Sequence, residues 1–184
     1  GETFHHALDR LEVRGRDSAG VQISFSLPDP ESWRGVRQDL EERGLAEPFA
    51  RRSVPGDLLT GSISVFPPEN GGDPDAGTGR IVSFTFKTAS VVGELGRNVQ
   101  DLRRSIAGDA VFQCFIRHPS VAELALAHTR WASGGSITVE NCHPVNNFLP
   151  AAPTVGQARV YPRYGRTGGA INVVLNGDVD NYPA

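Results

Sequence analysis

The chain contains no methionine, only two cysteines, and no apolar run near the roughly 20 residues that a membrane-spanning helix requires. Each shortage excludes something. Without methionine, Gly1 is not a translation start as it stands, and the expectation is a chain that has lost residues upstream or is a fragment. Cys114 and Cys142 are too few for a disulfide framework in 184 residues, so a reducing, cytoplasmic setting is expected. Gly1 to His6 has neither the basic nor the apolar region of a signal peptide. The net charge of −3 offers no basic field, which excludes nucleic acid and anionic membrane as partners.

What remains is the composition of a soluble globular protein, 39% hydrophobic and 21% charged, tilted toward turns by 21 glycines and 13 prolines. Phe4, Leu8 and Leu11 recur at helical spacing and predict a short amphipathic helix over 4–13, followed by a turn from Arg14 to Gly20. Val21 to Phe25 alternates apolar and polar residues as a strand does, and Leu27-Pro28-Asp29-Pro30 breaks it. A charged helix is expected from Glu31 to Arg43, with Gly44 as its stop. Strands are expected around Leu59–Phe66 and at Arg80–Lys87, separated by a loop from Pro67 to Gly79 that is dense in Pro, Gly, Asn and Asp. Val91 to Ala107 reads as a helix ending at Gly108. Val111–Ile116 and Leu124–Trp131 read as strands, although Val121–Ala127 also fits the start of a helix. The stretch from Pro144 to Pro153 is irregular, Arg159–Arg163 is a further strand candidate, and Ile171–Leu175 reads as a buried strand. With strands dominant and no regular alternation, the expected class is α+β.

Two segments place charged, glycine and hydroxyl residues at the end of apolar runs, as a pocket built at strand ends requires. One is Arg14-Gly15-Arg16-Asp17-Ser18-Ala19-Gly20 and the other is His128-Thr129-Arg130-Trp131-Ala132-Ser133. The Arg130 guanidinium is a planar fork suited to a carboxylate, Trp131 can exclude solvent, and Ser133 can add a hydrogen bond. A structural ion pair at Arg130 and core filling by Trp131 fit the same residues. Asn176-Gly177 is equally two-sided: it is a common hairpin turn, and it also offers a side-chain amide and a backbone N–H for one developing oxyanion. The charges of Arg14, Arg16 and Asp17 are too closely spaced for helix pairing and favour buttressing of a turn. Cys114 reads as an inert buried thiol. Cys142-His143 has no second Cys/His pair at ligand spacing, so a zinc site is rejected. Asp178 and Asp180 lack the Gly and Glu positions of a calcium loop. No metal and no cofactor is expected.

Taken together, these segments resemble the glutaminase domain of class II glutamine amidotransferases, closest to the glucosamine-6-phosphate synthase branch. That branch carries Arg-Gly-Tyr-Asp-Ser-Ala-Gly, then His-Thr-Arg-Trp-Ala, then His-Pro, then a strand ending in Asn-Gly. The corresponding pieces here are Arg14–Gly20, His128–Ala132, His143-Pro144 and Asn176-Gly177, in that order and over roughly a third of the chain. Arg16 stands in the tyrosine position, and Gly134 replaces a histidine.

The resemblance implies the four-layer αββα sandwich of N-terminal-nucleophile hydrolases, incomplete here, with residues 1–184 forming part of a glutaminase domain. It implies an insertion at about 26–88 and a loop-rich segment at 147–169. It also implies hydrolysis of the glutamine side-chain amide by an N-terminal cysteine whose own α-amine is the base. Asn176 and Gly177 become the oxyanion hole, worth about 3–4 kcal/mol per good donor. Arg130, Trp131 and Ser133 become the glutamine pocket, with Arg14 and Asp17 supporting the nucleophile end. The cysteine falls upstream of Gly1 and an acid for the glutamine amino group falls beyond Ala184, so these 184 residues alone are expected to fold poorly and not to turn glutamine over. In the full-length protein the ammonia passes to a synthase domain acting on a sugar phosphate such as fructose 6-phosphate, in amino sugar biosynthesis and in a homo-oligomer. The alternative is a degenerate relative that binds glutamine or mediates contacts without catalysis.

Overall fold

The structure is a computed structural model that describes residues 15–53, 59–66, 79–89, 95–118, 122–131, 137–146 and 171–175. The helix expected at 4–13, the strand at 159–163, the loop-rich segment at 147–169 and nearly all of the polar loop at 67–79 lie outside those residues.

Strand β1 (Ser18–Leu27) organises the rest. It starts earlier than its alternating pattern suggests: Ser18, Ala19 and Gly20, expected in a turn, are already paired on both sides. β3 (Arg80–Ala89) lies antiparallel along its whole length, from Ser18↔Ala89 to Leu27↔Arg80. On the other side β4 (Ala122–Arg130) pairs antiparallel from Ser18↔Arg130 to Ser26↔Ala122, which decides for a strand against the helical start also considered at 121–127. β2 (Ser62–Phe66) completes the sheet in the order β2-β3-β1-β4; the preceding Leu59 is exposed and outside the strand.

Period-two alternation divides the sheet into two unlike faces. Ala19, Val21, Phe25 and Leu27 point to one face with Val82, Phe84 and Phe86, all buried. Helices cover that face. Helix α1 (Pro30–Glu42) begins where Asp29 caps it, its carboxylate accepting the Ser32 N–H at 2.7 Å, and Pro30 fits the first turn because its missing N–H is not needed there. Trp33, Val36 and Leu40 form its buried stripe, and Gly44 at φ 69° ends it. A short helix α2 (Ala46–Arg52), unassigned from sequence, buries Phe49. Helix α3 (Arg97–Gly108) buries Val99, Leu102 and Ile106.

Ala110–Ile116 is helix α4, which corrects the strand expected at Val111–Ile116. The aromatic and branched residues there suggested a strand, but Asp109 overrides that preference by capping the Phe112 N–H at 3.1 Å. Val111, Phe112, Cys114 and Phe115 then share a helical buried side. The Asp109 carboxylate is also paired with the Arg52 guanidinium, which joins the ends of α2 and α4.

Aromatic rings knit this layer together. Phe84 meets Phe115 at 5.0 Å, Phe112 at 5.3 Å and Phe25 at 5.7 Å between centroids, all edge-on. Across the opposite face runs a minimal second sheet, β5 (Val145–Asn146) paired antiparallel with β6 (Asn172–Val173). The run 171–175 was expected to be a buried strand; only Asn172 and Val173 are in strand, and Ile171, Val173 and Leu175 are exposed. The described residues within 26–88 belong to the sheet and core, since they supply α1, α2, β2 and most of β3. No helix among the described residues is long and apolar enough to cross a membrane.

Phe84 is fully buried at the centre of the ring cluster, so Phe84→Ala is expected to cost about 3–5 kcal/mol. The check is urea denaturation, with the midpoint falling and the slope unchanged.

Candidate functional site

The second face of the sheet is polar although much of it is buried. Ser18, Gly20, Gln22 and Ser24 of β1 stand beside Lys87, Thr85 and Ser83 of β3, of which Lys87 is only 4% exposed. On the other flank the register sets Arg130 beside Ser18 and His128 beside Gly20. The two sequence segments singled out for pocket chemistry are therefore neighbours, joined again where the Asp17 N–H donates to the Arg130 carbonyl at 3.0 Å. The turn before β1 is held from behind by buried Asn98 of α3, whose amide donates to the Arg16 carbonyl at 2.6 Å.

Both glycines flanking this junction are required by close approach. A Cβ on Gly15 would lie 2.7–2.8 Å from backbone atoms of Thr129 and Arg130. On Gly20 it would lie 1.8 Å from the His143 carbonyl oxygen and 3.2 Å from Cys142 Sγ. The loop carrying Cys142 and His143, with a cis bond to Pro144, thus rests directly on β1 near its start. Its imidazole packs against His128 with centroids 4.6 Å apart and rings tilted by 55°. The Leu175 N–H donates to His143 Nδ1 at 3.2 Å, which brings in the segment that leads to Asn176-Gly177. Gln22 Nε2 donates to Asn172 Oδ1 at 3.2 Å, a second tie between the sheet and that segment.

The titrating groups here are bases. Burial lowers the His128 pKa below its ordinary 6.5, and the Arg130 charge adds to the effect. Burial also lowers that of His143, followed by the charges of His128, Arg130 and Lys87. Both imidazoles are therefore held neutral near pH 7. The thiols of Cys142 and Cys114 are pushed up by burial and stay protonated. A neutral imidazole pair beside Arg130 and Lys87 makes a site able to hold an anion while accepting or donating hydrogen bonds.

Of the residues expected in the site, Asp17, Arg130 and Trp131 fall among those described. Asp17 and Arg130 are brought together. Trp131 is 64% exposed at the end of β4, so it does not fill the core and stands at the rim. Arg14, Ser133, Asn176 and Gly177 lie outside the described residues. Sequence reasoning passed over Gln22, Lys87 and His128 as site residues and took His143 only as a motif member. For Gln22 a signal was available in the polar half of the β1 alternation, where Ser18, Gln22 and Ser24 share one face; Lys87, His128 and His143 reach it only through register and the seating of the loop. Among the described residues, Gln22 Oε1 and His128 Nδ1 are buried with no hydrogen-bond partner. No group of three or more His, Cys, Asp or Glu able to hold a metal ion occurs among the described residues. No family model, no curated protein and no solved structure matches the chain.

The seating of the loop on β1 predicts that Gly20→Ala destabilises the fold by about 1–3 kcal/mol through overpacking against fixed backbone. Gly108→Ala is the control: nothing lies within 4 Å of its Cβ, so its thermal midpoint should be unchanged or slightly raised.

Proposed function

We propose that this chain forms the glutamine-binding part of a glutaminase that, in the full-length protein, releases ammonia from the glutamine side-chain amide for an acceptor, a sugar phosphate such as fructose 6-phosphate. The observation that carries the reading is convergence. Four segments far apart in the chain meet toward one end of one sheet face: the Asp17–Gly20 run, His128–Trp131, His143-Pro144 and the residues leading to Asn176. Coincidental motifs have no physical reason to be strand neighbours.

On this reading the Arg130 fork binds the α-carboxylate of glutamine, and the exposed Trp131 covers it once bound. An N-terminal cysteine thiol gives its proton to its own α-amine as the sulfur adds to the amide carbon. The oxyanion that forms is held by Asn176 and Gly177. As it collapses, the C–N bond breaks and the departing nitrogen takes the proton back, leaving as ammonia. Water then hydrolyses the thioester to glutamate. Neither Cys114 nor Cys142 is suited to this role, because both are buried, protonated and without a free α-amine. The αββα arrangement of N-terminal-nucleophile hydrolases belongs to the same proposal, supported by the stacking of a helical layer, a four-stranded sheet and the β5–β6 pair.

The test uses the full-length protein, with ammonia release from glutamine and calorimetric binding of glutamine as readouts. Arg130→Ala should weaken glutamine binding by about 10- to 150-fold, as expected for a lost charge-assisted pair, and Arg130→Lys should recover little because the fork is lost. Absence of glutamine binding in the wild-type protein overturns the proposal. Binding without turnover supports the second reading, a non-catalytic relative, which Arg16 and Gly134 at departing positions favour.

A further inference from the structure

Arg130 is the last residue of β4, and β4 lies at the edge of its sheet with β1 as its one partner strand among the described residues. Trp131, just beyond it, is exposed. Strand ends at a sheet edge fray, so a guanidinium at this position needs something besides the ladder to hold its backbone still. The turn before β1 supplies it by closing on Arg130 with two contacts. Gly15 lies against the Thr129 and Arg130 backbone, where a Cβ would come within 2.7–2.8 Å of three backbone atoms. Asp17 donates its N–H to the Arg130 carbonyl at 3.0 Å. Arg16, between these two contacts, is exposed, and the fold holds it by its carbonyl.

We propose that Asn98 is a positioning residue for glutamine binding: its side-chain amide locks the 15–17 turn around the end of β4 and so sets the Arg130 fork for the substrate α-carboxylate. The carboxylate half of this statement rests on the glutaminase reading; the lock on the turn does not.

The geometry of the amide carries the assignment. Asn98 is the second residue of α3 and is 0% exposed, the one buried amide carried by a helix among the described residues. Asparagine is a poor helix former, and burying an amide is costly unless its polar groups are bonded. Both ends are bonded here. A carbonyl can only accept, so the NH2 group must face Arg16, to which it donates at 2.6 Å. That leaves Oδ1 toward Thr88 of β3, whose hydroxyl donates to it at 3.3 Å. Thr88 is itself opposite Ala19 of β1, and Val99, Leu102 and Ile106 seat α3 in the core. The amide is therefore fixed at the helix and at β3, with its donor end on the turn. Arg16 and Asn98 are 82 residues apart, so no local preference of the 15–17 segment supplies this bond. Asn98 lies where solvent does not reach. Without its donor the Arg16 carbonyl finds a new partner only by moving the turn, and the Gly15 and Asp17 contacts with Arg130 move with it.

The experiment uses the full-length protein and reads the glutamine Kd by calorimetry, kcat and KM, and the exchange protection of the Asp17 amide. Asn98→Asp keeps the shape and the acceptor for Thr88 but turns an oxygen toward the Arg16 carbonyl. It should raise Kd and KM by about 5- to 30-fold with kcat within about threefold, because the α-carboxylate contact is the same in ground and transition states. Asp17 should lose protection. Arg16→Ala, which leaves the carbonyl in place, should change none of these values. In an Arg130→Ala background, Asn98→Asp should weaken binding by less than about twofold more, since the residue through which it acts is gone. A general loss of stability would weaken both backgrounds alike. Should Asn98→Asp fail to fold, Thr88→Val removes only the hydroxyl that orients the amide and carries the same comparison, with a smaller shift in the same direction. In a protein that binds glutamine without turnover, Kd alone carries it. Unchanged affinity in Asn98→Asp, an equal loss in the Arg130→Ala background, or a fall in kcat at constant KM overturns the inference. A wild-type protein that binds no glutamine removes the glutaminase reading and the carboxylate half with it. Exchange then still decides the lock: protection of Asp17 lost in Asn98→Asp upholds it, and wild-type protection overturns it.

Discussion

The His143 carbonyl oxygen lies 1.8 Å from where a Cβ on Gly20 would be, and the functional face depends on that missing atom. Because β1 presents bare backbone at this point, the loop through Cys142 and His143 can lie flat on the sheet. From there the rest follows in sequence. The His143 ring reaches His128, Cys142 is buried, β5 is laid out at the register that receives β6, and Leu175 arrives within hydrogen-bonding distance of His143. A glycine inside a strand costs about 0.5–1 kcal/mol relative to alanine. Here that cost is spread over a strand paired on both sides along nearly its whole length.

The two faces of the sheet divide the work between them. The aromatic face supplies burial: Phe25, Phe84, Phe86, Phe112 and Phe115 interlock with Trp33 and Phe49 in one cluster. The phenyl rings need no hydrogen-bonding partners, and their edge-on contacts fix their orientation. The polar face cannot contribute in the same way, since each buried polar atom left unpartnered costs about 1–3 kcal/mol. It is viable because its groups bond to each other and across the layers, as Ser24 does with Ser83 at 2.7 Å and Gln22 with Thr85 and Asn172. A site of this kind can be assembled only on a sheet whose other side already carries the stability.

How much of this was legible in the sequence follows the same division. β1, β3 and α1 were readable because each has a clean period and clear stops, such as Asp29-Pro30 before α1 and Gly44 after it. α4 was misread as a strand because Val111, Phe112, Phe115 and Ile116 carry strand-favouring side chains, while the deciding interaction is a single Asp109 cap. α2 was invisible because its short length offers no full periodic stripe, and its anchor is a pairing of Arg52 with Asp109 far along the chain. Arg130 and Asp17 were legible as site candidates from residue type and motif. The roles of His128, His143 and Lys87 were not, because they arise from register: nothing local says that Gly20 lies between Lys87 and His128, or that a loop more than 120 residues later rests upon it.

The electrostatics of the face tie its chemistry to its architecture. Lys87, Arg130 and two imidazoles converge on a few strand positions, and the charges that bear on His143 are all basic. Such an arrangement would repel itself if every group were charged, and it resolves the conflict in the least costly place. The imidazoles, which titrate nearest to neutrality, are the groups held in the neutral form. On the proposed reading the same field therefore serves two ends. It places positive charge at Arg130, where a substrate carboxylate would bind, and it keeps His143 neutral and able to accept the Leu175 N–H. Moving either cation would alter both at once, so on that reading substrate attraction and the protonation state of His143 are coupled in this fold.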